Sequence, residues 1–212
     1  MGMSEGSQLR VFSVEAGERR LTRREMVQRL LAGAGAGAAW PLMAAGHPIH
    51  EHFANHAVLA EADKLGSADW KPLFLGAAQN EELNALAESI VPGSRGAFVN
   101  RFIDLLLSVD TVANQKKFVE SLAAVDEGAK KRFGRSFPAL DATQKDALLT
   151  SASTKAPNDD KAAAELRAHF ENLKGWISGA YYSSEAGMRE LGWNGEYAFA
   201  SYPGCEHAEG HG

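Results

Sequence analysis

One cysteine, Cys205, stands in 212 residues. A single cysteine closes no internal disulfide and holds no iron–sulfur cluster, so it is a free thiol or half of a bridge to another chain. No C-x-x-C-H occurs, which excludes covalent attachment of a c-type haem. H-E-x-x-H is also missing, and with it a common metalloprotease signature. Beyond residue 46 no run of 18 apolar residues occurs, so no spanning helix is expected there. No segment alternates with period two for long and no repeat is visible, which argues against a sheet protein. Basic residues are the minority, 22 Lys and Arg against 27 Asp and Glu, a formal charge of -5. The first 46 residues hold six Arg and four Glu, so the acidity lies beyond them. A nucleic-acid partner would want a basic face instead.

What is present begins with Gly33-Ala34-Gly35-Ala36-Gly37-Ala38, which satisfies the dinucleotide pattern G-x-G-x-x-A. The pattern needs a strand before it and, about twenty positions on, an acidic residue at the end of a second strand. Neither is there; the preceding residues, Thr22 to Gln28, are charged. A different order fits: Arg23-Arg24, a weakly apolar run from Leu30 to Ala45, then small residues at Ala44 and Gly46. That is the order of a cleavable export signal, and the arginine pair resembles a twin-arginine signal. Residues 1–46 are therefore expected to be a leader, with His47 starting the mature chain and a periplasmic destination. Because that route is known for carrying folded proteins, this chain or something bound to it must fold before export.

The mature chain reads as one all-α domain of about five to six helices with an extended aromatic, Gly-rich C-terminal tail. Residues 47–78 form an extended or partly helical lead-in, and 79–212 the helical domain and its tail. Asn80 is the expected N-cap of a first helix that carries Leu83, Leu86, Ala87, Ile90 and Val91 on one face and stops at Pro92-Gly93. A second helix spans about 97–109. A third starts near Asp110-Thr111 and ends at Gly134. Asp141 with Gln144 reads as a capping box for a fourth. A fifth covers about 161–180, with Leu166, Phe170, Leu173 and Ile177 on one stripe. Ser183 or Ser184 caps a short sixth.

The chemistry-bearing residues are few. His47, His50, His52 and His56 cluster in one stretch, and His52 and His56 would share a helix face, as metal ligands do. That spacing supports an alternative reading as a stand-alone periplasmic metal-binding protein. The competing expectation is a strap left in solvent or covered by a partner. Cys205, His207 and His211 fall short of a closed zinc site. No catalytic or cofactor-binding constellation emerges. Gly175 and Gly179, four apart on one helix, would let another backbone approach closely. Trp176, Tyr181, Tyr182, Trp193 and Tyr202 are aromatic candidates for a partner interface, against the plainer reading that they fill the core.

The segments Glu88-Ser89-Ile90-Val91-Pro92-Gly93-Ser94, Phe102-Ile103-Asp104-Leu105-Leu106 and Gly179-Ala180-Tyr181-Tyr182-Ser183-Ser184-Glu185, followed by Gly192-Trp193-Asn194-Gly195 and Tyr202-Pro203-Gly204-Cys205, resemble the gluconate 2-dehydrogenase subunit 3 family. The resemblance covers about 79–205. It implies the small subunit of a membrane-associated, FAD-dependent sugar or sugar-acid dehydrogenase. The flavin would sit on a large subunit of the glucose-methanol-choline class, with a multihaem cytochrome c often taking the electrons. It places no catalytic residue on this chain and accounts for a twin-arginine leader, since a flavin-loaded partner folds before export. One departure is the compact loop between Val91 and Phe102, where many members carry a longer acidic loop. Cys205, after the turn Tyr202-Pro203-Gly204, is expected to form a disulfide with the flavoprotein.

Overall fold

A computed structural model describes residues 47–53, 55–155 and 160–192. Among them are eight α-helices and no strand, as the periodicity predicts. Two short helices, α1 (Ile49–His52) and α2 (His56–Glu61), and a 3-10 turn (Ala62–Lys64) make up much of the lead-in. Then come α3 (Ala77–Ile90), α4 (Val99–Ser108), α5 (Val112–Phe133), a 3-10 turn (Phe137–Ala139), α6 (Ala142–Ser153), α7 (Lys161–Tyr182) and α8 (Glu185–Glu190). No helix among the described residues is long and apolar enough to cross a membrane.

The caps explain most boundaries. Thr111 Oγ1 accepts the Asn114 N–H at 3.3 Å and opens α5, which stops at Gly134 with φ +70°. Asp141 Oδ1 accepts the Gln144 N–H at 2.8 Å, while Gln144 Oε1 accepts the Asp141 N–H at 3.2 Å, the expected reciprocal box. Helix α3 begins three residues before Asn80. Gly76 takes the N-cap position and donates its N–H to Gln79 Oε1 at 3.0 Å. Asn80 instead accepts from Asn100 Nδ2 at 3.0 Å, so its side chain ties α3 to α4.

Helices α5 and α7 form the longest packed pair, and α3, α4 and α6 close around them. Phe102, Leu106, Phe118, Leu122, Leu173, Trp176 and Ile177 fill the centre. The lead-in joins that core through Ile49, Phe53, Leu59, Leu65 and Leu75, so the expected division at residue 78 is not a packing boundary. Asp104, in an otherwise apolar run of α4, is fully buried and accepts the N–H groups of Leu73, Phe74 and Leu75 at 2.6, 3.1 and 2.7 Å. A carboxylate with three amide donors needs no cation to be buried. It fastens the last stretch of the lead-in to the bundle. Arg101 does the same for residues before it, donating to the carbonyls of Leu65 and Ser67 and stacking between Trp70 and Phe98.

Candidate functional site

Two places bring the singled-out residues together. The first is the strap His47–Phe53, which lies along the C-terminal half of α7. Two glycines make room for it. A Cβ at Gly175 would sit 2.6 Å from His47 Cδ2, and one at Gly179 would sit 3.0 Å from both Ile49 Cδ1 and Cγ2. The room at Gly175 and Gly179, expected to admit another backbone, is taken by side chains of this chain's own strap. His47 Nδ1 accepts the Ile49 N–H at 3.4 Å, which leaves Nε2 to donate to the Asn172 carbonyl at 3.2 Å. Asn172 Nδ2 donates to Ser121 Oγ at 3.1 Å, and Ser121 donates to the Lys117 carbonyl at 2.7 Å. A polar chain therefore runs from the strap through α7 into α5.

Burial pushes the His47 imidazole below its ordinary pKa, partly opposed by its bond to Asn172. Burial does the same to His50. His52 Nε2 lies 3.2 Å from Asp110 Oδ2, with both side chains almost covered. Burial works to raise Asp110, but donation from Asn114 and from the Thr111 N–H, with the His52 ring close by, outweighs it and holds the carboxyl below its usual range.

The four candidate ligands do not share a point. His47 is spent on Asn172 and Ile49, and His52 faces Asp110. His50 sits edge-on to Phe53, and His56 is exposed at the start of α2. Among the described residues no group of three or more His, Cys, Asp or Glu is gathered as metal ligands would be.

The second place is the corner where α7 turns into α8, beneath the loop 91–98. The corner is built from hydroxyls and one obligatory glycine. Ser184 Oγ donates to the Tyr181 carbonyl at 2.6 Å and accepts the Gly187 N–H at 3.2 Å, capping α8. A Cβ at Gly187 would lie 2.4 Å from the Tyr181 carbonyl oxygen and 2.8 Å from Tyr182 Cα, so no side chain fits there. Across from it, Glu88 accepts the Gly93 N–H at 3.0 Å and the Arg95 N–H at 2.9 Å, and these bonds hold its carboxyl below the ordinary value. Gly93 has φ +93°, and its missing Cβ would be 3.4 Å from the Tyr181 hydroxyl. Burial, followed by a hydrogen bond with Glu190, raises the Tyr181 pKa. The Glu88–Ser94 motif and the Tyr181–Glu185 motif, far apart in sequence, are therefore one structural unit.

The aromatic candidates divide. Trp176 is 1 % exposed and is enclosed by His47 at 5.2 Å, His52 at 6.2 Å and Phe118 at 5.8 Å between ring centroids. Tyr181 is likewise buried. In this fold both side chains are part of the core. Tyr182 is half-buried, edge-on to Tyr181 at 5.2 Å. Arg23, Arg24, Trp193, Tyr202, Cys205, His207, His211 and the Gly33–Ala38 pattern lie outside the described residues. Asp104 and Glu88 were not anticipated as anchors. The signal for Asp104 was there, an acid inside the apolar run Phe102 to Leu107.

A family model described as Gluconate 2-dehydrogenase subunit 3 matches residues 77–204. That is more than half of the 212 residues, and the chain belongs to this family. No curated protein and no solved structure matches. The matched span opens at Ala77, the first residue of α3, and contains the whole corner; the strap lies before it.

Proposed function

We propose that this member of the gluconate 2-dehydrogenase subunit 3 family is the non-catalytic small subunit that stabilises, escorts and exports an FAD-dependent dehydrogenase. The family name implies a subunit of a multi-subunit enzyme. The family match carries the reading. It is supported by the corner, where two matched motifs lie against each other at Gly93 and Tyr181 and each is held by its own hydrogen bonds. The partner is a large flavoprotein of the glucose-methanol-choline class that oxidises a CH–OH group of a sugar, sugar acid or glycoside. FAD belongs to that partner, and haem c to a third, cytochrome subunit. Arg23 and Arg24 direct both proteins through the twin-arginine translocase to the periplasm, and Cys205 bridges to the flavoprotein. Trp193, Tyr202 and the half-buried Tyr182 are the aromatic contacts retained for that surface.

Co-expression with a flavoprotein of that class tests the reading. The two chains should purify together, with a flavin spectrum that bleaches on adding the sugar substrate. On non-reducing electrophoresis the pair should run as one band, and as two with Cys205→Ser. A chain that purifies alone and holds one copper ion tightly would favour the metal-binding alternative instead.

A further inference from the structure

The acid cluster between α3 and α5 is used by neither the strap nor the corner. Glu82 projects from α3, half-buried, and its Oε1 is shut off from solvent with no hydrogen-bond partner. The acid that bears on it electrostatically is Asp126 of α5, whose two oxygens are both taken. Asp126 Oδ1 accepts the Phe137 N–H at 2.8 Å, and Oδ2 pairs with Lys130 Nζ at 2.6 Å. The charges bearing on Glu82 come from α5 alone, Asp126 against ionisation and Lys130 in favour. The turn Phe137–Ala139, packed on the same side of α3, is Phe-Pro-Ala and brings none.

The two acids differ in what meets them. Asp126 has an amide and an ammonium for its oxygens, whereas Glu82 Oε1 has neither. A charged Glu82 would bury an unpaired carboxylate oxygen, whereas a neutral acid leaves only one weak acceptor unmet. We propose that Glu82 is a proton-carrying tie between α3 and α5, whose ionisation in alkaline solution loosens the seam between these helices and the turn at Phe137 that Asp126 holds.

Burial, then the Asp126 charge, pushes the Glu82 carboxyl from 4.5 up to about 8. A raised folded-state value means that the stabilisation is complete below 4.5 and is lost as pH rises to about 8. Because Glu82 is only partly buried, the loss is put at about tenfold in the folding equilibrium constant, well below the full shift. Urea unfolding of the full chain between pH 5 and 9.5 should show that fall and then a plateau. Glu82→Gln, an uncharged isostere of the protonated acid, should remove it. An identical fall in the variant would overturn the proposal. A carbon-13 titration of wild-type Glu82 does not depend on any variant folding. A carboxyl midpoint near 8 is expected, moving down in Asp126→Asn; a wild-type midpoint below about 6 would overturn the tie.

Discussion

The strap and the corner both rest on the C-terminal half of α7, and both depend on glycine, but for different reasons. At Gly175 the missing Cβ makes room for the His47 ring, the end of a side chain that can swing away. At Gly187 it makes room for the Tyr181 carbonyl, which is backbone and cannot move without undoing α7. The strap is therefore a covering laid on a finished bundle, while the corner is part of how the bundle ends. The family boundary runs the same way: the match holds the corner and begins after the strap. A pair of glycines on one helix face marks only that something lies close. In this chain the occupant is its own lead-in, reached across more than a hundred residues.

The largest effect is expected where the lead-in is fastened to the matched span. Asp104 lies within the matched span and holds residues 73–75, which precede it. Asp104→Ala strands three amides and should cost about 3–4 kcal/mol, read by urea unfolding of the chain. Gly187→Ala comes next. Backbone overlap at the corner should cost about 3 kcal/mol and reduce recovery of the complex. Gly175→Ala should cost only about 1 kcal/mol. Its effect should appear as faster amide exchange in residues 49–53, with α8 unchanged. Equal losses from the two glycine variants would erase the distinction between strap and corner.

The smallest effect expected is acid sensitivity of the strap. His47 and His50 have pKa values lowered below 6.5 by burial. The unfolded chain then binds more protons just below that pH, so stability falls as pH drops through 6.5 toward the folded values. Exchange of the strap amides should rise over that window in wild type and be already fast in Gly175→Ala.

Much of the fold could be read locally. Thr111, Asp141 with Gln144, and Ser184 mark helix starts because a cap is decided within four residues. Gly134 marks a stop for the same reason. Phe98 shows the limit. It stands at φ +54° before α4, a conformation that no pattern in a bulky apolar residue announces. Its ring and Trp70 flank Arg101, so long-range stacking sets its place. Trp176 shows the same limit: its type suits core and interface equally, and only the arrival of His47 and Phe118 decides. The motif residues were legible as a set, but not that Gly93 meets Tyr181, because that contact is made between segments distant in sequence.

The escort role is tested most directly by where the flavoprotein goes. Arg23→Lys with Arg24→Lys should disable the proposed leader. Cells carrying this variant and the wild-type flavoprotein would be fractionated and assayed for substrate-dependent dye reduction. The account predicts that the activity stays in the cytoplasm, with the two proteins still bound to each other. Full activity in the periplasm of the variant strain would contradict it.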